Sequence, residues 1–360
     1  MSKVRSLSIN GYKSIRSLKD FKLSDLNVLI GANGAGKSNF ISLFRLLNEM
    51  YEQRLQLYVQ KQGGPDALLH FGRKVTDRLH AEFNFANNCY KFDLIPTADN
   101  RLIFKDEISQ FLGVYYQTKP EAHLGSGHEE SRLRDAKDDY SPYVRDAVKS
   151  WRIYHFHDTS DTAKVKQLHA TNDNLQLKSD AANLAAYLRM LRKEYGDSYR
   201  RIVDTIQLVA PFFGDFVERP GNSENIELEW TQKGRPDTPF KAHMLSDGTL
   251  RFVCLATLLL QPSDRRPGTV LIDEPELGLH PYAISVLADI FKQVAETKQL
   301  IVSTQSVELV NELSPEDVIV VDQQDGYSTF TRFTEDELEG WLADYSMGEL
   351  WKRNILGGRP

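Results

Sequence analysis

A chain of 360 residues with 41% hydrophobic and 26% charged side chains can bury a sizeable core, which excludes wholesale disorder and predicts about two lobes. Forty-four basic against fifty acidic side chains give a net charge of −6, which excludes a polycation built to coat DNA or an anionic membrane. The two cysteines, Cys89 and Cys254, have no partner at disulfide or metal spacing, so those frameworks are excluded and a cytoplasmic location is expected.

In chain order, apolar residues at Val4, Leu7 and Ile9 predict a strand over 4–12, and the run 26–30 predicts a buried one. Glycine-rich residues 31–38 follow directly. Phe40, Leu43, Phe44, Leu47, Met50, Tyr51, Leu55 and Tyr58 then recur at helical spacing and predict one helix, stopped by Gly63, Gly64 and Pro65. Short strands are predicted over 79–85 and 90–95. Residues 117–142 are dense in charge, Gly, Ser and Pro and predict an exposed loop. Over 180–216, Leu184, Tyr187, Leu188 and Leu191, then Tyr199, Ile202, Ile206 and Val209, predict a helical lobe. Its basic residues Arg189, Arg192, Lys193, Arg200 and Arg201 alternate with acidic ones, which favours a solvated face over a phosphate-tracking one. The last third predicts a helix over 250–260 and a strand over 269–272. A Pro281-led helix follows, then strands over 299–302 and 317–322. The expected domains are 1–116, 117–215 and 216–360. The longest apolar run, 253–260, falls far short of the roughly 20 residues that span a bilayer, and no membrane partner is expected.

Three motifs carry chemistry. Gly31, Ala32, Asn33, Gly34, Ala35, Gly36, Lys37 and Ser38 fit G-x-x-x-x-G-K-[ST] without a gap, between a predicted strand and a predicted helix. Such a loop turns successive N–H groups toward phosphate oxygens, with Lys37 on the β- and γ-phosphates and Ser38 on Mg²⁺. The run 269–272 ends in Asp273 and Glu274, which places a metal-binding carboxylate and a general base at a strand's carboxyl end. Ser246, Asp247 and Gly248 stand at a helix start, where an anion is favoured; alone they read as an N-cap and a glycine turn.

Taken together, these motifs resemble the RecF/SMC/OLD branch of the ABC ATPases. Within it, residues 154–160 and the ending 348–360 are similar to compact bacterial ATPases of DNA-repair and phage-defence type. The resemblance covers nearly the whole chain and is weakest over 97–150. It implies an α/β P-loop NTPase head with a β-rich N-terminal lobe and a helical insertion lobe. It also implies ATP and Mg²⁺ as cofactors, with Gly31 to Ser38 and Asn39 on the nucleotide and Ser38 with Asp273 on the metal. Glu274 and Gln305 are then catalytic, and Ser246, Asp247 and Gly248 act as a signature motif in trans. Glu276, Leu277, Gly278, Leu279 and His280 form the D-loop. Two departures stand out. Gln305 occupies a switch position where many relatives carry histidine, and glutamine takes up no charge near neutral pH, which implies slow hydrolysis. Asp247 replaces a glycine, and its carboxylate is repulsive toward a triphosphate unless it faces away.

The expected function is an ATPase that forms a homodimer or higher oligomer around ATP. Its cycle would be coupled to DNA repair or anti-phage defence, with nucleic acid and a separate nuclease or toxin effector as partners. A non-catalytic ATP-binding regulator is the alternative. A transporter subunit is disfavoured by the long span between Ser38 and Leu245. A small-molecule kinase would leave the signature and D-loop unexplained.

Overall fold

Strands with alternating burial and strands buried on both faces separate this chain into two kinds of sheet. The computed structural model describes residues 3–113, 120–219, 221 and 223–359. The first half contains β1 (Val4–Tyr12), β2 (Ile15–Lys22), β3 (Leu26–Ile30), α1 (Lys37–Tyr51), α2 (Leu55–Lys61) and α3 (Pro65–Leu68). It continues with β4 (Leu79–Phe85), β5 (Asn88–Pro96), β6 (Leu102–Phe111) and β7 (Glu121–Gly125). The single helix expected through Tyr58 is two helices, because the chain turns at Gln53 with φ of 55°. The periodicity hides this break, since both helices face one core. The second helix starts where the Glu130 carboxylate accepts from the N–H groups of Leu55 (2.8 Å) and Gln56 (3.0 Å), a cap supplied from far along the chain.

The loop expected over 117–142 holds for most of 126–140 and is corrected at 121–125, which form a strand, and at Ser141, where α4 starts; residues 117–119 lie outside the described residues. β7 extends the antiparallel sheet, and the segment after it is pinned by polar contacts that apolar periodicity does not register. Glu107, fully buried on β6, accepts from Tyr90 (2.6 Å), the His128 ring (2.8 Å), the Ser131 hydroxyl (2.5 Å) and the Arg132 N–H (3.0 Å). These bonds hold the carboxyl below its usual range against the opposing effect of burial.

Beyond it come α4 (Ser141–Lys149), β8 (Arg152–Tyr154), β9 (His169–Ala170), α5 (Leu184–Glu194), α6 (Gly196–Val209), β10 (Phe213–Phe216), β11 (Asn225–Ile226), β12 (Glu229–Gln232) and β13 (Arg235–Lys241). The last third adds α7 (Asp247–Leu260), β14 (Thr269–Asp273), α8 (Pro281–Ala295), β15 (Gln299–Ser303), α9 (Val307–Asn311), β16 (Val318–Gln324), β17 (Tyr327–Arg332), α10 (Glu335–Leu342) and α11 (Met347–Lys352). The cations on the middle helices are largely paired: Arg192 with Asp215 (2.8 Å), Lys193 with Glu218 (3.5 Å) and Arg200 with Asp197.

Among the described residues, one sheet has the order β2-β1-β4-β5-β6-β7 and is antiparallel. The other has the order β17-β16-β3-β15-β14-β8 and is parallel apart from the β16–β17 hairpin. Helix α1 lies between the sheets. Its Phe40, Leu43, Phe44 and Leu47 meet Phe83 from the antiparallel sheet and Leu29, Leu271 and Ile301 from one face of the parallel sheet. The alternate residues Val28, Ile30, Val270, Ile272, Leu300 and Val302 face the other way, onto α7, α8 and the α5–α6 pair. Covered on both faces, these central strands read as continuous apolar runs rather than alternating ones. Each fully buried leucine or phenylalanine in these layers contributes about 2 kcal/mol.

Candidate nucleotide site

Because β3, β8, β14 and β15 are parallel, their carboxyl ends share one edge of the sheet, where ligands of open α/β sheets bind. Ile30 opens there into the glycine loop, Asp273 into Glu274, Ser303 into Gln305, and Tyr154 into the segment His155–Phe156–His157. Four stretches that are distant in sequence thus meet by topology alone.

The loop curls where only glycine fits. Gly36 has φ of 120°, and a Cβ there would stand 2.0 Å from the Ser328 hydroxyl. Lys37, only 6% exposed, donates from Nζ to the carbonyls of Gly31 (2.5 Å) and Ala32 (3.1 Å). Burial lowers its pKa, while Glu274, Asp273 and Glu276 oppose that shift. Ser38 is exposed at the start of α1, and the Asn39 amide donates to Ser14 Oγ (2.7 Å). Asn33 and Gly34 are exposed, and a Cβ at Gly34 would meet nothing within 4 Å, so the loop's outer face is open.

Opposite stand the carboxylates. Asp273 accepts from the Ser303 hydroxyl beside it in register, and its carbonyl accepts from His157 Nε2 (2.9 Å). His155 Nδ1 lies 3.9 Å from Asp273 Oδ2, and burial pulls the His155 pKa down while Asp273 pulls it up. His155 and His157 thus flank the strand-end carboxylate. Glu274 has φ of 45°, the left-handed region that non-glycine residues avoid, and is half-buried. The Gln305 amide donates to Glu274 Oε1, and the Gln305 backbone N–H donates to Glu276 Oε1 (2.8 Å). Glu276 is buried, its Oε2 is unpartnered among the described residues, and burial raises its pKa.

Ser246 caps α7, its hydroxyl accepting from the Thr249 N–H at 3.2 Å. Ser246 and Asp247 are exposed, and Gly248 packs so closely on the D-loop that a Cβ would stand 2.2 Å from the Gly278 carbonyl. Leu277 is exposed, Leu279 donates its N–H to Glu276 O (3.0 Å), and His280 caps α8. The structure therefore gathers Lys37, Ser38, Asp273, Glu274 and Gln305 on one edge, while Gly248 of the signature turn packs on the D-loop and Ser246 and Asp247 stay exposed.

Sequence reasoning missed Arg251, five positions after Ser246. Its guanidinium donates to Leu277 O (2.7 Å) and to His157 O (2.8 Å), joining α7, the D-loop and the histidine segment. Arg251→Met is expected to destabilise the fold by about 1–3 kcal/mol, because two carbonyls lose charged donors. A chemical-denaturation midpoint that does not move would show that those carbonyls are satisfied by water.

The oxygen donors here fit Mg²⁺: one hydroxyl and one carboxylate, with the remaining positions left to phosphate and water. Among the described residues no cluster of three His, Cys, Asp or Glu could hold a metal by itself. No helix of the described residues is long and apolar enough to cross a membrane.

Residues 26–311 match the family model "AAA domain, putative AbiEii toxin, Type IV TA system". No curated protein sequence matches the chain. Among solved structures, an SMC head bound to the C-terminal winged-helix domain of ScpA is similar at TM-score 0.57 and 15% identity, covering 94% of this chain and 99% of that one. The SMC head domain with an extended coiled coil, bound to the C-terminal domain of ScpA derived from Pyrococcus furiosus, is similar at TM-score 0.55 and 14% identity, covering 96% and 99%.

Proposed function

The chain belongs to this AAA-domain family; on that premise we propose that it is an ABC-type ATPase of the SMC/RecF-like branch, two copies of which close around Mg-ATP and hydrolyse it slowly. One observation carries the proposal. Lys37, Asp273, Glu274 and Gln305 meet on one sheet edge, whereas Ser246 is exposed and its hydroxyl is engaged only within its own turn. A site divided in this way is completed by the Ser246 and Gly248 of a second copy.

In this reading Lys37 exchanges its two carbonyl partners for the β- and γ-phosphates, and the loop N–H groups take the remaining oxygens. Ser38 and Asp273 would hold Mg²⁺, which would supply neutralisation of the phosphate charge. Glu274 accepts the proton of the attacking water, and Gln305 fixes that carboxylate through its amide. Positioning and charge stabilisation account for the acceleration, with no covalent intermediate. The opening and closing of the pair is the output, coupled to DNA repair or anti-phage defence through nucleic acid and a separate nuclease or toxin effector. The family description, which names a toxin system, supports the defence side of this reading.

Glu274→Gln is expected to retain ATP and to double in solution mass when Mg-ATP is added, measured by size exclusion with light scattering. It is also expected to turn over ATP about 100-fold or more slowly than the unsubstituted chain. Turnover at the unsubstituted rate would sink the assignment of the base, and an unchanged mass would sink the ATP-driven dimer. The Gln305 amide on Glu274 also favours a second reading, a non-catalytic ATP switch. That reading predicts the same doubling of mass with no measurable turnover in either protein.

A further inference from the structure

A second cleft, of about 580 Å³, lies at the opposite end of the parallel sheet from the glycine loop. Its floor is where β8 begins, at Arg152, and where the chain enters β14, at Arg266 and Pro267. The carboxyl ends of the same two strands carry the histidine segment and Asp273, while Arg152 and Pro267 of the cleft lie at or before their amino ends.

Its charges are graded with depth. Arg266 is only 9% exposed, and its Nη2 donates to the Gln261 carbonyl at 2.8 Å. Its buried Nε has no partner among the described residues, and no carboxylate lies within ion-pair distance of the guanidinium among them. Burial, reinforced by the nearby Arg201, lowers its pKa to about 10. Arg152 and Arg265 are half-buried beside it: Arg152 donates to the Gln176 side chain, and Arg265 Nη2 stands 3.6 Å from Glu194. The acidic residues of the lining lie further out. Asp146 and Asp264 are exposed at the rim, and Glu52 is 3.8 Å from Arg54. A buried guanidinium with an unused donor and no counter-charge is costly in a folded chain unless something supplies the anion.

We propose that this cleft binds a small phosphate-bearing molecule, its phosphate on Arg152 and Arg266 and its polar body against the acidic rim. Guanidinium groups suit phosphate because their planar forks donate in pairs. The volume falls within the range of small-molecule sites and accommodates a ligand of about mononucleotide size. Rim carboxylates accept from the hydroxyl or amine groups of such a ligand while repelling an extended polyanionic chain that would have to run across the rim. A nucleic-acid chain is therefore disfavoured in favour of a compact ligand. The phosphate-binding groups assigned here, Arg152 and Arg266, take no part in the ATPase reading, although Tyr154 in the cleft wall borders the nucleotide edge.

The test uses the full chain carrying Lys37→Ala, which silences the glycine loop, titrated calorimetrically with inorganic pyrophosphate. One saturable site is expected, weakened about tenfold or more by Arg266→Gln and separately by Arg152→Gln. Arg152 is half-buried, so its variant keeps the test valid if Arg266→Gln fails to fold. Absence of saturable binding in the Lys37→Ala chain, or binding that neither substitution weakens, overturns the proposal. So does preferential binding of a 5′-phosphorylated oligonucleotide over pyrophosphate. Because binding is read without turnover, failure of the ATPase reading leaves this result interpretable, and the reverse also holds.

Discussion

Lys37→Ala is expected to weaken ATP binding by about 100-fold or more, the equivalent of losing one or two charged hydrogen bonds to phosphate. In the structure the ammonium is buried and bonded to two carbonyls of its own loop, Gly31 and Ala32. Those carbonyls occupy the donors that a phosphate would take. Burial lowers the pKa of this ammonium, and the carboxylates of Glu274, Asp273 and Glu276 oppose that shift. Alanine removes the only cation that the loop directs inward and leaves the carboxylates facing the incoming triphosphate unopposed. The loss is therefore larger than a contact count suggests, because repulsion is added to the missing attraction. Equilibrium dialysis with labelled ATP measures it. Affinity equal to that of the unsubstituted chain would remove Lys37 from the site, and the backbone N–H cradle alone would then have to hold the nucleotide.

Much of this edge was legible in the sequence, for physical reasons that can be named. The glycine loop is a local device: strand, turn and helix follow one another without a gap, so spacing alone specifies it. Asp273 was legible because it ends a continuous apolar run, and a run buried on both faces marks a central parallel strand; Gln305, two residues past β15, was placed by the family resemblance. What remained hidden depends on distant partners. Ser303 is one residue in an unremarkable Ser-Thr pair until the β14–β15 register sets it beside Asp273. Arg251 reads as an ordinary helix cation until its guanidinium reaches the D-loop. β2, β6 and β7 were missed for a different reason. β2 is mostly exposed, and β7 is an edge strand with no fully buried residue, so apolar alternation is weak. The attachment of the 128–132 segment rests on a buried carboxylate, a signal that a hydrophobic pattern does not carry.

Two substitutions in the signature turn separate contacts within the chain from contacts between copies. Gly248→Ala is expected to reduce stability by about 1–3 kcal/mol, because its new methyl group meets the Gly278 carbonyl, which is backbone and cannot rotate away. To relieve that contact the D-loop must shift, and with it Leu277 and the carbonyl that Arg251 holds. ATP-driven association is therefore expected to fall together with the melting temperature. Ser246→Arg is the opposite case. The position is exposed, so the larger side chain meets little of its own chain, and the principal loss is the 3.2 Å cap to Thr249. ATP affinity at the P-loop is expected to be unchanged, while doubling of mass in the Glu274→Gln background is abolished. If both substitutions block association but only Gly248→Ala lowers the melting temperature, the exposed serine face contacts a second copy and the glycine face supports the D-loop within one chain. If Ser246→Arg still dimerises on ATP, the signature turn is a helix cap and nothing more, and the divided-site reading fails at the residue on which it depends.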